Sequence, residues 1–229
     1  MNPKIVFFDL GLTLVDSGHA EAYRKSLSQI QTDLPETDAR LAYHLALKDC
    51  MREEAASGNS VWKEFPKKFL GHANISMTEK TFQQWVPVLQ VALSECRWKA
   101  FPFSLQVLDE LRGMGIRTGL ISNWDMTCRK VLEENRLAER LDPIIVSSEC
   151  GSEKPDVRIF EAALQDSGFA PEQCLYVGDN YYNDVIGAEK ACIHTILLNP
   201  YGRKGIEELS YDDVAEDIRE IPERMEKTI

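Results

Sequence analysis

The chain has 229 residues, 44% of them hydrophobic, and a formal net charge of −11. That length and composition suit one large or two small domains with enough apolar side chains for a sizeable core. The acidic balance argues against a general nucleic-acid or anionic-membrane binder, and no apolar run approaches the roughly 18 residues a membrane span needs. The N-terminus runs straight into a strand pattern, without a basic segment or a cleavable apolar stretch. Six cysteines, Cys50, Cys96, Cys128, Cys150, Cys174 and Cys192, are scattered without a Cys-x-x-Cys pair or a neighbouring His cluster. They read as reduced, mostly buried thiols of a cytoplasmic protein, not as zinc ligands or disulfides.

Ile5-Val6-Phe7-Phe8 predicts a strand buried on both faces, and Asp9, Gly11 and Thr13 follow it at once. A carboxylate there would sit at the carboxyl edge of a parallel sheet, where open α/β folds place their ligands. Alone, Asp9 reads equally well as a residue making a local turn. From Ser17 to Arg97 the pattern is helical, with no buried-strand run. Ala20, Tyr23, Leu27 and Ile30 recur at helix spacing, and Leu41, Tyr43, Leu45 and Leu47 suggest a second helix. Pro35 and Ser57-Gly58-Asn59-Ser60 punctuate. Trp62, Phe65 and Phe69 make an i, i+3, i+7 stripe that reads as core, and Thr78-Glu79 before Phe82, Trp85 and Val88 marks another helix start.

Alternation resumes near Pro102. Val107, Leu108, Leu111 and Met114 form a helix face; Ile116–Ile121 is a strand ending in Ser122-Asn123. Cys128–Leu137 reads as a helix, and Ile144-Ile145-Val146 as a strand running into Ser147-Ser148. Lys154-Pro155 opens the next helix, with Pro suited to its first turn. Leu175-Tyr176-Val177 is a strand ending in Gly178-Asp179, a helix follows from about Asn183 to Ala191, and His194–Leu198 is a fifth strand. The tail, Ile206–Ile229, carries a short edge strand near Val214 and a charged terminal helix. Alternating strands and helices predict an α/β fold, a doubly wound (Rossmann-like), mostly parallel sheet. Its core spans residues 1–16 and 98–229, with an all-α cap, 17–97, inserted after the first strand and hanging over the edge where Asp9 sits.

The strand ends supply Asp9, Ser122, Lys154 and Asp179, which should converge at one edge of the sheet. Each has a plain alternative: Ser122 or Asp179 as a helix N-cap, Lys154 as a solvated surface residue. Together, two carboxylates, a hydroxyl and an amine at successive strand ends point to a site.

Asp9-Leu10-Gly11-Leu12-Thr13, Ile121-Ser122-Asn123, Lys154-Pro155-Asp156 and Gly178-Asp179-Asn180-Tyr181-Tyr182-Asn183-Asp184-Val185-Ile186-Gly187-Ala188 occur in the order of the haloacid dehalogenase superfamily, which the chain resembles from Ile5 to about Leu198. The insertion lies where the subfamily with a helical cap carries it. The resemblance implies a magnesium-dependent phosphatase acting on a small phosphorylated metabolite. Asp9 would be the nucleophile, forming an aspartyl-phosphate. Mg²⁺ would be held by Asp9, Asp179 and the Gly11 backbone carbonyl, with Asp184 in or just behind its coordination shell and Asn183 nearby. Thr13, Ser122 and the Asn123 backbone would donate to the phosphate, and Lys154 would hold Asp9 and phosphate together, needing only reach and no aromatic or His partner.

Gly11 departs from the family pattern, in which the second residue after the nucleophile is an acid/base Asp. General acid–base catalysis is typically worth about 10²–10⁴-fold. Three outcomes stay open: a substitute donor such as His19, a substrate hydroxyl or water; a substrate with a good leaving group; or a catalytically weak phosphate-binding or regulatory protein. Asp179 argues against the metal-free branch that cleaves haloacids. A phosphonate-cleaving reading would need a cap lysine, and Lys25, Lys48, Lys63, Lys67 and Lys68 are available. Tyr23, Arg24, Trp124 and Tyr181 are candidates for substrate contact. The sequence does not specify the oligomeric state.

Overall fold

The computed structural model describes residues 3–226. Expectations placed on residues 1–2 and on the end of the terminal helix, 227–229, lie outside the described residues. Two compact units divide the chain: Met1–Asp16, Lys99–Gly202 and Ser210–Ile229 form one, and Ser17–Trp98 with Arg203–Leu209 form the other.

Among the described residues, the first unit holds all the strands: β1 (Ile5–Phe8), β2 (Val15–Asp16), β3 (Lys99–Ala100), β4 (Arg117–Ser122), β5 (Ile144–Val146), β6 (Cys174–Gly178), β7 (His194–Leu198) and β8 (Val214–Ala215). Six make one parallel sheet in the order β5-β4-β1-β6-β7-β8. The chain steps outward from β1 through β4 to β5, then returns to the other side of β1 with β6, β7 and β8. That reversal is a topological switch point, and it falls between β1 and β6. The four residues of β1 are wholly buried, as their unbroken apolar run requires of a central parallel strand. Alternation along the strands turns Ile5, Phe7, Cys174 and Tyr176 to one face, where they pack with Ile159, Phe160 and Ala163 of the helix Val157–Ser167 and with Ala188.

Four local features differ from the sequence reading. β2 and β3 pair antiparallel, Val15 with Ala100 and Asp16 with Lys99, in a ribbon too short to show as a pattern. Pro155 precedes its helix instead of opening it, because the Asp156 side chain is the N-cap and accepts from the Arg158 N–H. Ser147–Cys150 is a short helix, and the segment after β6 begins as a wide turn, Tyr181–Val185, before the helix Ile186–Lys190.

The second unit contains the helices His19–Ser28, Glu36–Ser57, Phe65–His72 and Glu79–Ser94. Thr78 caps the last, its Oγ1 accepting from the Thr81 N–H at 3.2 Å. Tyr23 is buried at the centre, 4.5 Å from Phe69, 5.6 Å from Phe65 and 6.0 Å from Trp85 between ring centroids. Tyr23 is therefore part of the interior packing of this unit, and Arg24 is ion-paired to Glu21 at 2.6 Å. Trp62 is also corrected: it is 39% exposed, its indole N–H donating to the Glu54 carboxylate, while Phe65 and Phe69 are core. Arg203–Leu209, read from sequence as tail, belongs to this unit: the Lys204 carbonyl lies 3.1 Å from His44 Nε2, Glu208 pairs with Arg52 at 3.0 Å, and Ile206 is buried. Of the cysteines, Cys50, Cys128 and Cys174 are buried but Cys150 and Cys192 are exposed, so the thiols are not mostly buried. Among the described residues, no helix is long and apolar enough to cross a membrane.

Candidate active site

Asp9 directly follows β1. Its backbone N–H continues the ladder onto the Val177 carbonyl at 2.9 Å, so the carboxylate starts from a rigid position beside β6. The chain then turns sharply, with the Leu14 and Val15 N–H groups both donating to the Leu10 carbonyl at 2.9 and 3.0 Å. That turn buries Thr13, whose Oγ1 has no hydrogen-bond partner. Orphaned buried hydroxyls are uncommon in folded proteins and ask for a reason.

Ser122, the last residue of β4, donates its hydroxyl to Asp9 Oδ1 at 3.0 Å. Asn123 clasps the loop after β5: its Oδ1 accepts from the Lys154 backbone N–H at 2.7 Å, and its Nδ2 donates to the Lys154 carbonyl at 2.9 Å. So braced, Lys154 is buried and its ammonium donates to Asp9 Oδ1 at 2.8 Å and to Asp184 Oδ1 at 2.6 Å. Asp179 and Asp184 come from the end of β6 and the turn beyond it. The Asn180 side chain caps that turn, accepting from the Tyr182 and Asn183 N–H groups, so Asp179 is not the cap. Asp184 Oδ2 accepts from the Asn180 N–H at 2.9 Å.

Asp9, Ser122, Lys154, Asp179 and Asp184 therefore lie in one cluster at the carboxyl edge, flanking the switch point. Gly11 brings no side chain to it. His19 begins a helix of the other unit, with Nδ1 3.2 Å from the Tyr43 hydroxyl. Trp124 donates its indole N–H to Thr127 Oγ1 at 3.1 Å, and Tyr181 packs edge-on against Tyr182 and Tyr211.

Tyr176 is the member the sequence reading missed. It sits in the middle of β6, fully buried, yet its hydroxyl lies 2.8 Å from Lys154 Nζ, 3.0 Å from the Ile121 carbonyl and 3.1 Å from Asp184 Oδ1. The ammonium thus has an aromatic partner after all. The available signal was the hydroxyl itself: a tyrosine in a strand buried on both faces must find a polar partner. Gly178 is a second missed contributor, since a Cβ there would overlap the Asp184 carboxylate.

Burial pushes the Asp9 carboxyl above its ordinary value; the Lys154 charge pulls it back and the Asp184 charge adds to the rise. For Lys154, burial works to lower the ammonium, but Asp184 and Asp9 outweigh it and hold it above its ordinary value. Burial first, then Asp184, raises the Tyr176 phenol, so it stays protonated. Oxygens of Asp9, Asp179 and Asp184 all lie within 4.8 Å of one another, and all three residues are buried. One ammonium against three carboxylates leaves negative charge in a buried place, which is costly without a counter-ion. An all-oxygen donor set with that surplus fits a hard divalent cation.

The haloacid dehalogenase-like hydrolase family matches residues 6–198. A glyceraldehyde 3-phosphate phosphatase of Methanothermobacter thermautotrophicus is 32% identical over 209 residues, covering 86% of this chain and 85% of that protein. A protein of the same name from Pyrococcus furiosus is 26% identical, covering 97% and 92%. Among solved structures, YfnB of Bacillus subtilis, bound to magnesium, superposes with a TM-score of 0.66 at 18% identity over 98% of this chain and 99% of that one. A HAD phosphatase from Thermococcus onnurineus gives 0.58 at 18% identity over 97% of each chain. The sheet order, the carboxyl-edge cluster and the match across most of its length agree: the chain belongs to the haloacid dehalogenase-like hydrolase family.

Proposed function

We propose that the protein is a magnesium-dependent phosphatase that hydrolyses a small phosphorylated metabolite through an aspartyl-phosphate on Asp9. The observation that carries this reading is the carboxylate of Asp9, held by Ser122 and Lys154 inside a buried group of three acids. Relatives named as glyceraldehyde 3-phosphate phosphatases support the phosphate-ester class.

Asp9, Asp179 and the Gly11 carbonyl would hold the magnesium ion; Asp184, already bonded to Lys154 and the Asn180 N–H, fits a place just behind it. When bound, the ion supplies charge neutralisation on the phosphoryl oxygens. An Asp9 oxygen attacks phosphorus as the bond to the leaving oxygen breaks, and water then cleaves the aspartyl-phosphate, releasing inorganic phosphate and regenerating Asp9. Thr13 Oγ1, buried without a partner, would donate to the phosphate together with Ser122 and the Asn123 backbone. Lys154 offsets repulsion between Asp9 and the incoming anion.

The proton for the leaving oxygen has no evident source in this cluster. Lys154 is held charged by two carboxylates, Tyr176 is held protonated, and Gly11 has no side chain. Esters with good leaving groups should therefore react fastest. The test is magnesium-dependent phosphate release from p-nitrophenyl phosphate, acetyl phosphate, glyceraldehyde 3-phosphate, sugar phosphates and nucleotides. Asp9→Asn should lower turnover on the order of 10³-fold or more; full activity in that variant overturns the mechanism. Turnover of an alkyl phosphate at the rate of the activated esters would require a donor, and His19→Ala would then be the variant to measure.

A further inference from the structure

An ammonium group has three N–H bonds to give. On Lys154 all three have protein acceptors: Asp9 Oδ1 at 2.8 Å, Asp184 Oδ1 at 2.6 Å and the Tyr176 hydroxyl at 2.8 Å. The reading of the site as one that handles phosphate asks Lys154 to reach the phosphate as well, so one of the three must be given up. The three are unequal. Withdrawing a donor from a buried carboxylate leaves a charge uncompensated, whereas withdrawing it from a neutral hydroxyl leaves only a lone pair.

Tyr176 is built to be the partner that is released. Its own proton has an acceptor that does not involve Lys154, the Ile121 carbonyl at 3.0 Å. Its ring cannot follow the ammonium: it is fixed in β6 between β1 and β7 and packs edge-on against Phe160 with centroids 5.4 Å apart. The ammonium, by contrast, ends a flexible four-carbon stem. We propose that Tyr176 is a positioning residue: its hydroxyl holds the third N–H of Lys154 in the free enzyme and yields it to the phosphate on binding. The tyrosine thereby keeps a buried cation fully bonded between turnovers and sets the position from which it reaches the substrate. This rests on the phosphatase reading given above.

The consequence has a sign opposite to that of ordinary damage. Tyr176→Phe removes a bond present only in the free enzyme, so phosphate should bind more tightly. The probe is inorganic phosphate, titrated calorimetrically into the magnesium-loaded wild type and Tyr176→Phe. The expected result is a Kd lower by about 3- to 10-fold in the variant, the size of one modest hydrogen bond. The product-inhibition constant and KM for p-nitrophenyl phosphate should fall in parallel, with no rise in kcat. A merely structural role would weaken binding and lower kcat together. Unchanged or weaker phosphate binding in a folded variant overturns the inference and leaves the phosphatase reading standing. Failure of the wild type itself to bind phosphate overturns both. Should Tyr176→Phe not fold, crystal structures of the wild type with and without phosphate decide. The Lys154 Nζ to Tyr176 Oη separation must lengthen beyond hydrogen-bond range with phosphate bound, and a distance that stays near 2.8 Å overturns the inference.

Discussion

Two buried polar clusters, one in each unit, hold their groups in opposite ways. Inside the helical unit, the Ser26 hydroxyl donates to the Tyr23 carbonyl at 2.7 Å and accepts from the Trp85 indole N–H at 2.8 Å. Those groups are neutral, paired and surrounded by aromatic rings. Inside the sheet unit, three carboxylates and an ammonium share one cluster beside a threonine hydroxyl with no partner. Stability alone favours the first arrangement, since buried charges and orphaned hydroxyls cost free energy. The second makes sense if the cluster is completed by something from outside the chain. Ionised groups gathered beside an unpartnered hydroxyl, more than burial of polar atoms as such, set this cluster apart from the Ser26 pair.

Removing the one cation from the sheet unit should break that contrast most severely. Lys154→Met leaves Asp9 and Asp184 facing each other without a counter-ion. Activity should fall on the order of 10³-fold or more, and a buried pair broken on one side costs about 3–5 kcal/mol in urea unfolding of the metal-free protein. Without the ammonium, the Asp9 carboxyl, which burial raises and Lys154 pulls back, is more readily protonated in the folded than in the unfolded chain. Folding then takes up protons, so the deficit should shrink as the pH falls toward the carboxylate range. A deficit equal at every pH would mean that packing, not charge, had been lost. Gly178→Ala is the next largest. The added methyl overlaps the Asp184 carboxylate and must displace it from Lys154 and the Asn180 N–H. Overpacking costs about 1–3 kcal/mol, and misplacing a positioning group by an ångström can cost about 10²-fold in rate. Steady-state kinetics and unfolding curves of the same preparation separate the two.

The same contrast explains what the sequence made legible. β1 and β6 announce themselves as unbroken apolar runs because strands buried on both faces have no polar alternation to show, and β4 shows only the shorter run Gly119-Leu120-Ile121 after Arg117 and Thr118. Asp9, Ser122 and Asp179 stand out because each ends such a run, and parallel strands bring their ends to one edge. Lys154 follows β5 at some distance, and only its order in the motif series identified it. Tyr176 was hidden for the opposite reason: within Leu175-Tyr176-Val177 it looks like one more large apolar residue, and its role depends on a cation 22 positions away. Arg203–Leu209 was hidden because nothing local ties it to the helices. Its bonds run to Arg52 and His44, more than 150 residues earlier. β2 and β3, two residues each, are shorter than any period that could reveal them.

The helical unit offers the complementary test, with effects read on stability alone. Trp85 is fully buried against Tyr23 and Phe82, and Trp85→Ala should cost about 3–5 kcal/mol, the range for emptying a buried aromatic site. Trp85→Phe should cost far less, because Ser26 keeps its bond to the Tyr23 carbonyl and only an accepted bond disappears. Trp62 lies on the same sequence stripe as Phe65 and Phe69 but is 39% exposed, stacked on Phe65 at 6.1 Å and bonded to Glu54. Trp62→Ala should therefore cost less than about 1 kcal/mol, as surface substitutions do. Denaturant unfolding of the three variants side by side checks the ranking. A Trp62→Ala cost equal to that of Trp85→Ala would mean that the stripe is buried throughout, and that the aromatic interior of this unit extends one turn further than the fold places it.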